Sequence, residues 1–211
     1  MRRRDFVTLA PAVVLAAKAA PAVGPDQVLK QLLEGNERFA SGNPMNPRRT
    51  PADFSKLASG QAPDAVIVGC SDSRVAPELL FDQGKGDLFV IRVAGNVVTG
   101  AGPTVKGSIA YAVVALGARL VMVLGHSQCG AVKSALETKP QSLPQSILDL
   151  VRLVNTGGEK DLDKAIVANV RASVERLRSI EPTLTQYIAD AKVKVAGGVY
   201  DLATGRVSMV T

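Results

Sequence analysis

Three short segments of the sequence are almost wholly apolar and rich in β-branched residues, and they constrain the fold more than any other feature. They span residues 65–69, 88–93 and 120–124. Runs of this kind are typical of strands that are buried on both faces of a sheet. Residues 104–116 are apolar on a broad face and long enough for a crossover helix. Together these segments predict an α/β chain with a central, mainly parallel β-sheet flanked by helices.

Helical and strand periodicities add further elements around this sheet. The apolar spacing predicts helices over residues 26–39, 51–59, 142–154 and 161–191. Asp26 is placed to cap the first of these helices, and Pro182 should kink or split the last. A further strand is expected within residues 193–202. At 211 residues, without an internal repeat, the chain fits one domain with its own core.

The first 22 residues carry the features of an export signal. Arg3-Arg4 with Phe6 resembles the twin-arginine pattern, and small residues at 17–22 offer cleavage sites. The apolar stretch at residues 7–17 is too short for a stable membrane anchor, since a spanning helix needs roughly 20 apolar residues. We expect an export signal at residues 1–22, one domain at 23–211, and a periplasmic or secreted protein. A fortuitous basic start, with the protein staying in the cytoplasm, is the alternative.

The net charge of +6 does not indicate nucleic-acid binding. Four basic residues and Asp5 lie in the first 18 residues, so that segment contributes +4 − 1 = +3 and leaves about +3 for the rest. The remaining basic residues are scattered, without a run and without interleaved aromatic residues. Nucleic acid is therefore not an expected partner.

The two cysteines and the single histidine form a candidate metal site. Cys70 directly follows the first predicted strand, while His126 and Cys129 follow the third. The carboxyl ends of parallel strands converge at one edge of a sheet, so the three side chains can meet there. Two thiolates and one imidazole form a set known in catalytic zinc sites, where the fourth position stays open. The alternatives are a Cys70–Cys129 disulfide and a histidine that is merely packed in the core.

Asp72 and Arg74 are candidate catalytic residues because they follow Cys70 at intervals of two. An extended segment would project all three side chains to the same side. An aspartate beside zinc can bind the metal or accept a hydrogen bond from a metal-bound hydroxide, and a nearby arginine can hold it off the metal. Asp72 is thus also a candidate fourth ligand in a closed state. An ordinary surface ion pair is the alternative.

Both motifs that carry these residues, CSDSR at 70–74 and GHSQCG at 125–130, resemble the signatures of β-class carbonic anhydrases. The resemblance extends to residues 33–39, 60–63, 86–90, 94–96 and 111–117. It implies a zinc lyase that converts carbon dioxide reversibly to bicarbonate and a proton through zinc-bound hydroxide. One Zn²⁺ per chain would be held by Cys70, His126 and Cys129. Because two thiolates donate more charge than two imidazoles, we expect better activity at mildly alkaline pH.

The same resemblance implies a substrate pocket shared between subunits. It assigns Gln61 as the donor to the substrate and Phe89, Ala94 and Tyr111 as pocket walls. In the family some of these residues come from the partner subunit, which implies a homodimer or a tetramer of dimers. The N-terminal helix would then pack on the partner. Core packing of Phe89 and Tyr111, and a solvated loop position for Gln61, are the alternatives.

Two positions depart from the family pattern. Val93 stands where many members have asparagine, so a local hydrogen bond should be missing there. Ile67 stands where bicarbonate-inhibited members carry tryptophan, which argues against that inhibitory site. Three other functions stay open at this point: a carbonyl sulfide or carbon disulfide hydrolase on the same scaffold, a zinc-binding protein without activity, and a redox protein.

Overall fold

Five strands form one sheet at the centre of the protein, in the order β2-β1-β3-β4-β5. They are β1 Ala65–Gly69, β2 Leu88–Arg92, β3 Leu120–His126, β4 Lys194–Tyr200 and β5 Val207–Met209. The first four strands are parallel, and β5 pairs with β4 in antiparallel orientation. This confirms the expected mainly parallel sheet, and it adds β5, which the sequence analysis missed.

The computed structural model describes residues 23–98, 102–137, 143–180 and 182–211. The predicted export signal at residues 1–22 lies outside these ranges. The described residues form helices α1 Pro25–Ala40, α2 Pro51–Leu57, α3 Pro77–Leu80, α4 Gly102–Ala110, α5 Gly130–Leu136, α6 Gln145–Val151, α7 Leu162–Arg178 and α8 Pro182–Ala189. In the described ranges, no helix combines the length and the apolar character that a membrane crossing requires.

Helices cover both faces of the sheet, as the apolar runs predict. Along β1, Val66 and Val68 face a layer built from α4, α7 and α8, while Ala65 and Ile67 face α1 and α3. This alternation follows from the two-residue repeat of a strand. All five residues of β1 are buried, which explains why the segment lacks polar side chains.

Helix α1 is fastened to the rest of the domain by Gly35 and Asn36. The Asn36 amide donates to the Leu80 carbonyl at 2.9 Å and accepts from the Val207 backbone N–H at 2.8 Å. A Cβ atom on Gly35 would lie only 1.9 Å from the Phe81 carbonyl oxygen. Glycine is therefore required where α1 meets the end of α3, since any side chain would force the helix away.

Of two local expectations, the one for Asp26 is wrong and the one for Pro182 is confirmed. Asp26 does not cap α1: the N-cap is Gly24, and Pro25 starts the helix one residue earlier than expected because its fixed φ suits the first helical turn. Asp26 instead pairs with Lys194 of β4 at 2.5 Å. Pro182 does divide the last helical region, because α7 ends before it and α8 begins at it.

Candidate metal centre

The three predicted ligands meet at the carboxyl edge of the sheet, between the neighbouring strands β1 and β3. Cys70 follows β1 directly, His126 is the last residue of β3, and Cys129 precedes the first residue of α5. All three are buried, and their ligand atoms lie within 4.8 Å of one another. A parallel register that sets Gly69 beside Leu124 brings these strand ends together.

The turn from His126 to Cys129 is fixed by contacts on both sides. The Ser127 N–H donates to the Tyr200 carbonyl at 2.9 Å, and the Ser127 hydroxyl accepts from the Leu202 N–H at 2.9 Å. Before the turn, a Cβ atom on Gly125 would lie 2.6 Å from Val170 Cγ2 of α7. This glycine thus lets α7 approach the strand that carries the histidine.

The histidine presents a free ring nitrogen to the two cysteines. His126 Nδ1 lies 2.9 Å from the Ser127 carbonyl oxygen, so this nitrogen donates its proton there. The lone pair of the neutral ring is then on Nε2, which is buried without a hydrogen-bond partner. An orphaned nitrogen of this kind is costly unless it binds something. Its position beside two thiols fits a metal ion.

Both cysteines are free thiols, as a metal site requires. The Gly95 N–H donates to the Cys70 sulfur at 3.3 Å. A hydrogen bond from the Cys129 thiol lowers the pKa of Cys70, while the same contact raises the pKa of Cys129. The thiolate is the form that binds metals, so the site already favours one ligand in its binding state. This donor set fits tetrahedral zinc with one open position.

Asp72 and Arg74 form a two-pronged ion pair at the mouth of the site. Arg74 Nε lies 2.9 Å from Asp72 Oδ1, and Nη2 lies 2.7 Å from Oδ2. These hydrogen bonds hold the pKa of the Asp72 carboxyl well below its usual range. Asp72 Oδ2 also lies 3.8 Å from His126 Nε2. The carboxylate therefore stands beside the ligands while both its oxygens are engaged by arginine.

The backbone that carries this pair is a tight turn, so the expected extended segment is wrong. The Val75 N–H donates to the Asp72 carbonyl at 3.0 Å, and the Arg74 N–H donates to Asp72 Oδ1 at 3.0 Å. Aspartate commonly nucleates such turns by bonding to the backbone two residues on. The turn folds Arg74 back onto Asp72, which pairs them more closely than alternation along a strand would.

Arg92 supports the same turn and was not anticipated from the sequence. It ends β2, and its guanidinium donates to the carbonyl oxygens of Cys70 at 3.0 Å and Asp72 at 2.5 Å. The signal available in the sequence was a charged residue at the end of an otherwise apolar strand, next to the strand that leads to a ligand.

Val93 does not prevent the turn over residues 94–96 from forming. Its backbone N–H donates to the Gly69 carbonyl at 3.0 Å, and its carbonyl accepts from the Asn96 N–H at 2.8 Å.

Of the four predicted pocket residues, Ala94 lies in the turn beside Cys70, whereas Phe89 pairs in register with Val66 near the amino end of β1. Ala94 adjoins Gly95, whose N–H contacts Cys70. Phe89 and Tyr111 pack together with ring centroids 6.4 Å apart, and Phe89 also packs against the core. Tyr111 is 51% exposed, which is unusual for a large side chain with only a core role.

Gln61 lies at the other end of the sheet from the metal ligands of its own chain. It is exposed, precedes β1 by four residues, and lines a groove with Phe54 and Lys85. The five residues of β1 separate it from Cys70 by about 16 Å of strand. A single chain therefore does not bring Gln61 to its own metal site.

Comparisons with known proteins agree on one family. The family model described as carbonic anhydrase matches residues 65–207. "Carbonic anhydrase 2" of Mycobacterium tuberculosis is 40% identical over 195 residues, which cover 88% of this chain and 93% of that protein. A Coccomyxa β-carbonic anhydrase solved with acetazolamide has a TM-score of 0.67 at 32% identity, covering 86% of this chain and 85% of that one. A tetrameric β-carbonic anhydrase from Sordaria macrospora gives 0.63 at 28% identity, with coverage of 86% and 95%.

Proposed function

This chain belongs to the β-class carbonic anhydrase family, and from that premise we propose that it hydrates carbon dioxide reversibly at one zinc ion held by Cys70, His126 and Cys129. The observation that carries this proposal is the buried Nε2 of His126, which lacks a hydrogen-bond partner and faces two free thiols. A Cys₂His set leaves one of four tetrahedral positions open, as a catalytic zinc site needs. Bound zinc would supply a Lewis acid that lowers the pKa of water to near neutrality.

Asp72 would orient the attacking water in this reaction. Its carboxylate is ionised at neutral pH, and Arg74 lowers its pKa further, so it can accept a hydrogen bond from water beside His126. Arg74 engages both carboxylate oxygens and thereby keeps Asp72 from becoming a ligand itself. Arg92 fixes the turn by holding the Cys70 and Asp72 carbonyl oxygens. The chain thus positions a proton acceptor without closing the site.

The substrate is small and apolar, and it needs apolar walls with a donor for the charge that develops. Phe89, Ala94 and Tyr111 would supply the walls. Gln61 would supply the donor from a second chain, because it lies far from the ligands of its own chain. Half-exposed Tyr111 and the exposed Phe54 beside Gln61 offer apolar surface for such a partner. A homodimer, or a tetramer of dimers, follows from this arrangement.

Subunit complementation tests the shared site. Chains carrying Gln61→Ala should lose about 10²–10³-fold in hydration rate, since one donor to the developing charge is gone. Chains carrying Cys129→Ala should be inactive. A mixed dimer of the two variants should recover about half of the wild-type rate per dimer, because the intact zinc site receives Gln61 from its partner.

Co-expression with two different affinity tags isolates the mixed dimer for stopped-flow assay. Each variant purified alone is the control. A mixed dimer no more active than the Gln61→Ala dimer would show that Gln61 does not serve the partner's site, and a monomer by light scattering would refute the assembly itself.

The activity is tested by stopped-flow hydration of carbon dioxide with the zinc-loaded protein between pH 6.5 and 9. We expect one zinc per chain and a rate that rises toward mildly alkaline pH. A parallel assay with carbonyl sulfide separates this function from hydrolysis of that compound on the same scaffold. Faster turnover of carbonyl sulfide than of carbon dioxide would overturn the proposal.

We also propose that residues 1–22 direct export of the folded, zinc-loaded enzyme through the twin-arginine route. Arg3-Arg4 and Phe6 support this route. An empty Cys₂His site in an oxidising compartment would be exposed to disulfide formation, and prior zinc binding avoids it. Changing both Arg3 and Arg4 to lysine should retain active enzyme in the cytoplasm, as cell fractionation would show. Arg2→Lys is the matched control, and unimpaired export of the double variant would contradict the proposal.

A further inference from the structure

Asn169 of α7 is a buried polar residue that the reaction described above does not use. Its side chain is 2% exposed, in a helix whose other inward residues are mostly apolar. Burying an amide is unfavourable unless its hydrogen bonds are made. The Asn169 side chain makes two hydrogen bonds, and both join it to backbone groups outside α7.

The two partners fix the orientation of the amide. Asn169 Oδ1 accepts from the Asn155 N–H at 3.0 Å, and Nδ2 donates to the Gly95 carbonyl at 2.8 Å. A backbone N–H can only donate and a carbonyl can only accept, so the reversed amide would lose both bonds. Asn169 therefore ties the loop after α6 to the turn over residues 94–96.

That turn contacts the metal site directly. Gly95 has φ of 74° and ψ of 13°, and its N–H donates to the Cys70 sulfur at 3.3 Å. Glycine populates such left-handed conformations as readily as others, so it does not fix its own geometry. The carbonyl on the other side of Gly95 is held by Asn169. A Cβ atom at Gly95 would lie 3.1 Å from Ala131 Cβ of α5, so the backbone is also closely confined.

We propose that Asn169 is a positioning residue for the metal centre: it holds the Gly95 N–H on the sulfur of Cys70. The inference rests on the proposed function, because it concerns the charge that Cys70 donates to zinc. An N–H bonded to a thiolate draws charge from the sulfur and fixes its direction. Residues that hydrogen-bond to metal ligands commonly tune the affinity for the metal. Here Asn169 of α7, a helix that supplies no ligand, acts on Cys70 through Gly95.

Replacing Asn169 with leucine tests the proposal, because leucine has a similar size and no hydrogen-bonding group. We expect zinc affinity, measured by competition with a chromogenic chelator, to fall about 10–100-fold. In the cobalt-substituted protein, the near-ultraviolet thiolate-to-cobalt band should shift to longer wavelength, since the sulfur has lost a hydrogen bond. The matched control is Val174→Ala, a buried position on α7 that contacts Gly197 of β4 rather than the turn.

The control should lower the melting temperature while zinc affinity and the cobalt spectrum stay at wild-type values. Asn169→Ser, which is smaller and too short to reach Gly95, is a second variant with the same expected spectral shift. Wild-type affinity and spectrum in a folded Asn169 variant would overturn the proposal, as would failure of both variants to fold by circular dichroism. Wild-type protein without zinc binding would instead refute the proposed function on which this inference rests.

Discussion

Replacing Cys129 with alanine should remove most of the bound zinc and lower carbon dioxide hydration by about 10³-fold or more, because water near neutral pH is activated by the metal. Cys129 is 1% exposed and lies beside Cys70 and His126. A site with two protein ligands binds zinc more weakly than a site with three, so the metal is lost during purification. Cys70→Ala and His126→Ala should behave alike, since each removes one of the three grouped ligands.

Metal analysis of the purified variants measures the first effect, and stopped-flow hydration measures the second. Lys133→Ala is a suitable control, since Lys133 is exposed on α5, the helix that follows Cys129. It should bind one zinc per chain and hydrate carbon dioxide at the wild-type rate. One zinc per chain in Cys129→Ala would refute the assignment of Cys129 as a ligand, whatever the activity of the variant.

Replacing Asp72 with alanine should leave zinc in place and lower the hydration rate by about 10²–10³-fold, the usual loss when a preorganised polar group at the reacting centre is removed. Asp72 lies beside the ligands, 3.8 Å from His126 Nε2, but its two oxygens are held by Arg74. The expected loss thus comes from orientation of water rather than from metal binding. Zinc content and rate measured on the same sample separate the two.

Arg74→Ala distinguishes orientation from gating. Without the guanidinium, the Asp72 carboxylate is free to turn toward the metal, and we expect low activity with zinc retained. In the metal-free variant, the pKa of Asp72 should return toward its usual value, because hydrogen bonds from Arg74 keep it low. Cobalt absorption should report an additional carboxylate ligand. Wild-type rates in Asp72→Ala at every pH would refute the role of Asp72, and an unchanged cobalt spectrum in Arg74→Ala would refute the gate.

The strands of the sheet and the three metal-ligand residues were predictable because each is marked by a short stretch of sequence. Buried parallel strands must be apolar on both faces, so β1 and β3 are visible as unbroken runs. The cysteines and the histidine follow at strand ends, where parallel topology converges. Strand β5 was missed because three residues give no recognisable period, and its place depends on pairing with β4.

The supports of the site were not predictable because they depend on contacts distant in sequence. Asn169 is 74 positions from its partner Gly95, and nothing in the sequence of α7 indicates that bond. Arg92 acts on carbonyl oxygens of Cys70 and Asp72, which every residue type offers equally. The tight turn at Asp72 could have been predicted, since an aspartate side chain commonly accepts a hydrogen bond from the backbone N–H two residues on.

Because Cys70 follows β1 and His126 ends the neighbouring β3, a zinc ion bound to both would cross-link distant parts of the chain. It would close a loop that contains α3, β2 and α4, much as a disulfide would. An unfolded chain has no such pocket, so binding energy becomes folding energy: free zinc at 100 times the dissociation constant would add about 2.7 kcal/mol to stability. Removing the metal should therefore lower the free energy of unfolding as well as abolish catalysis.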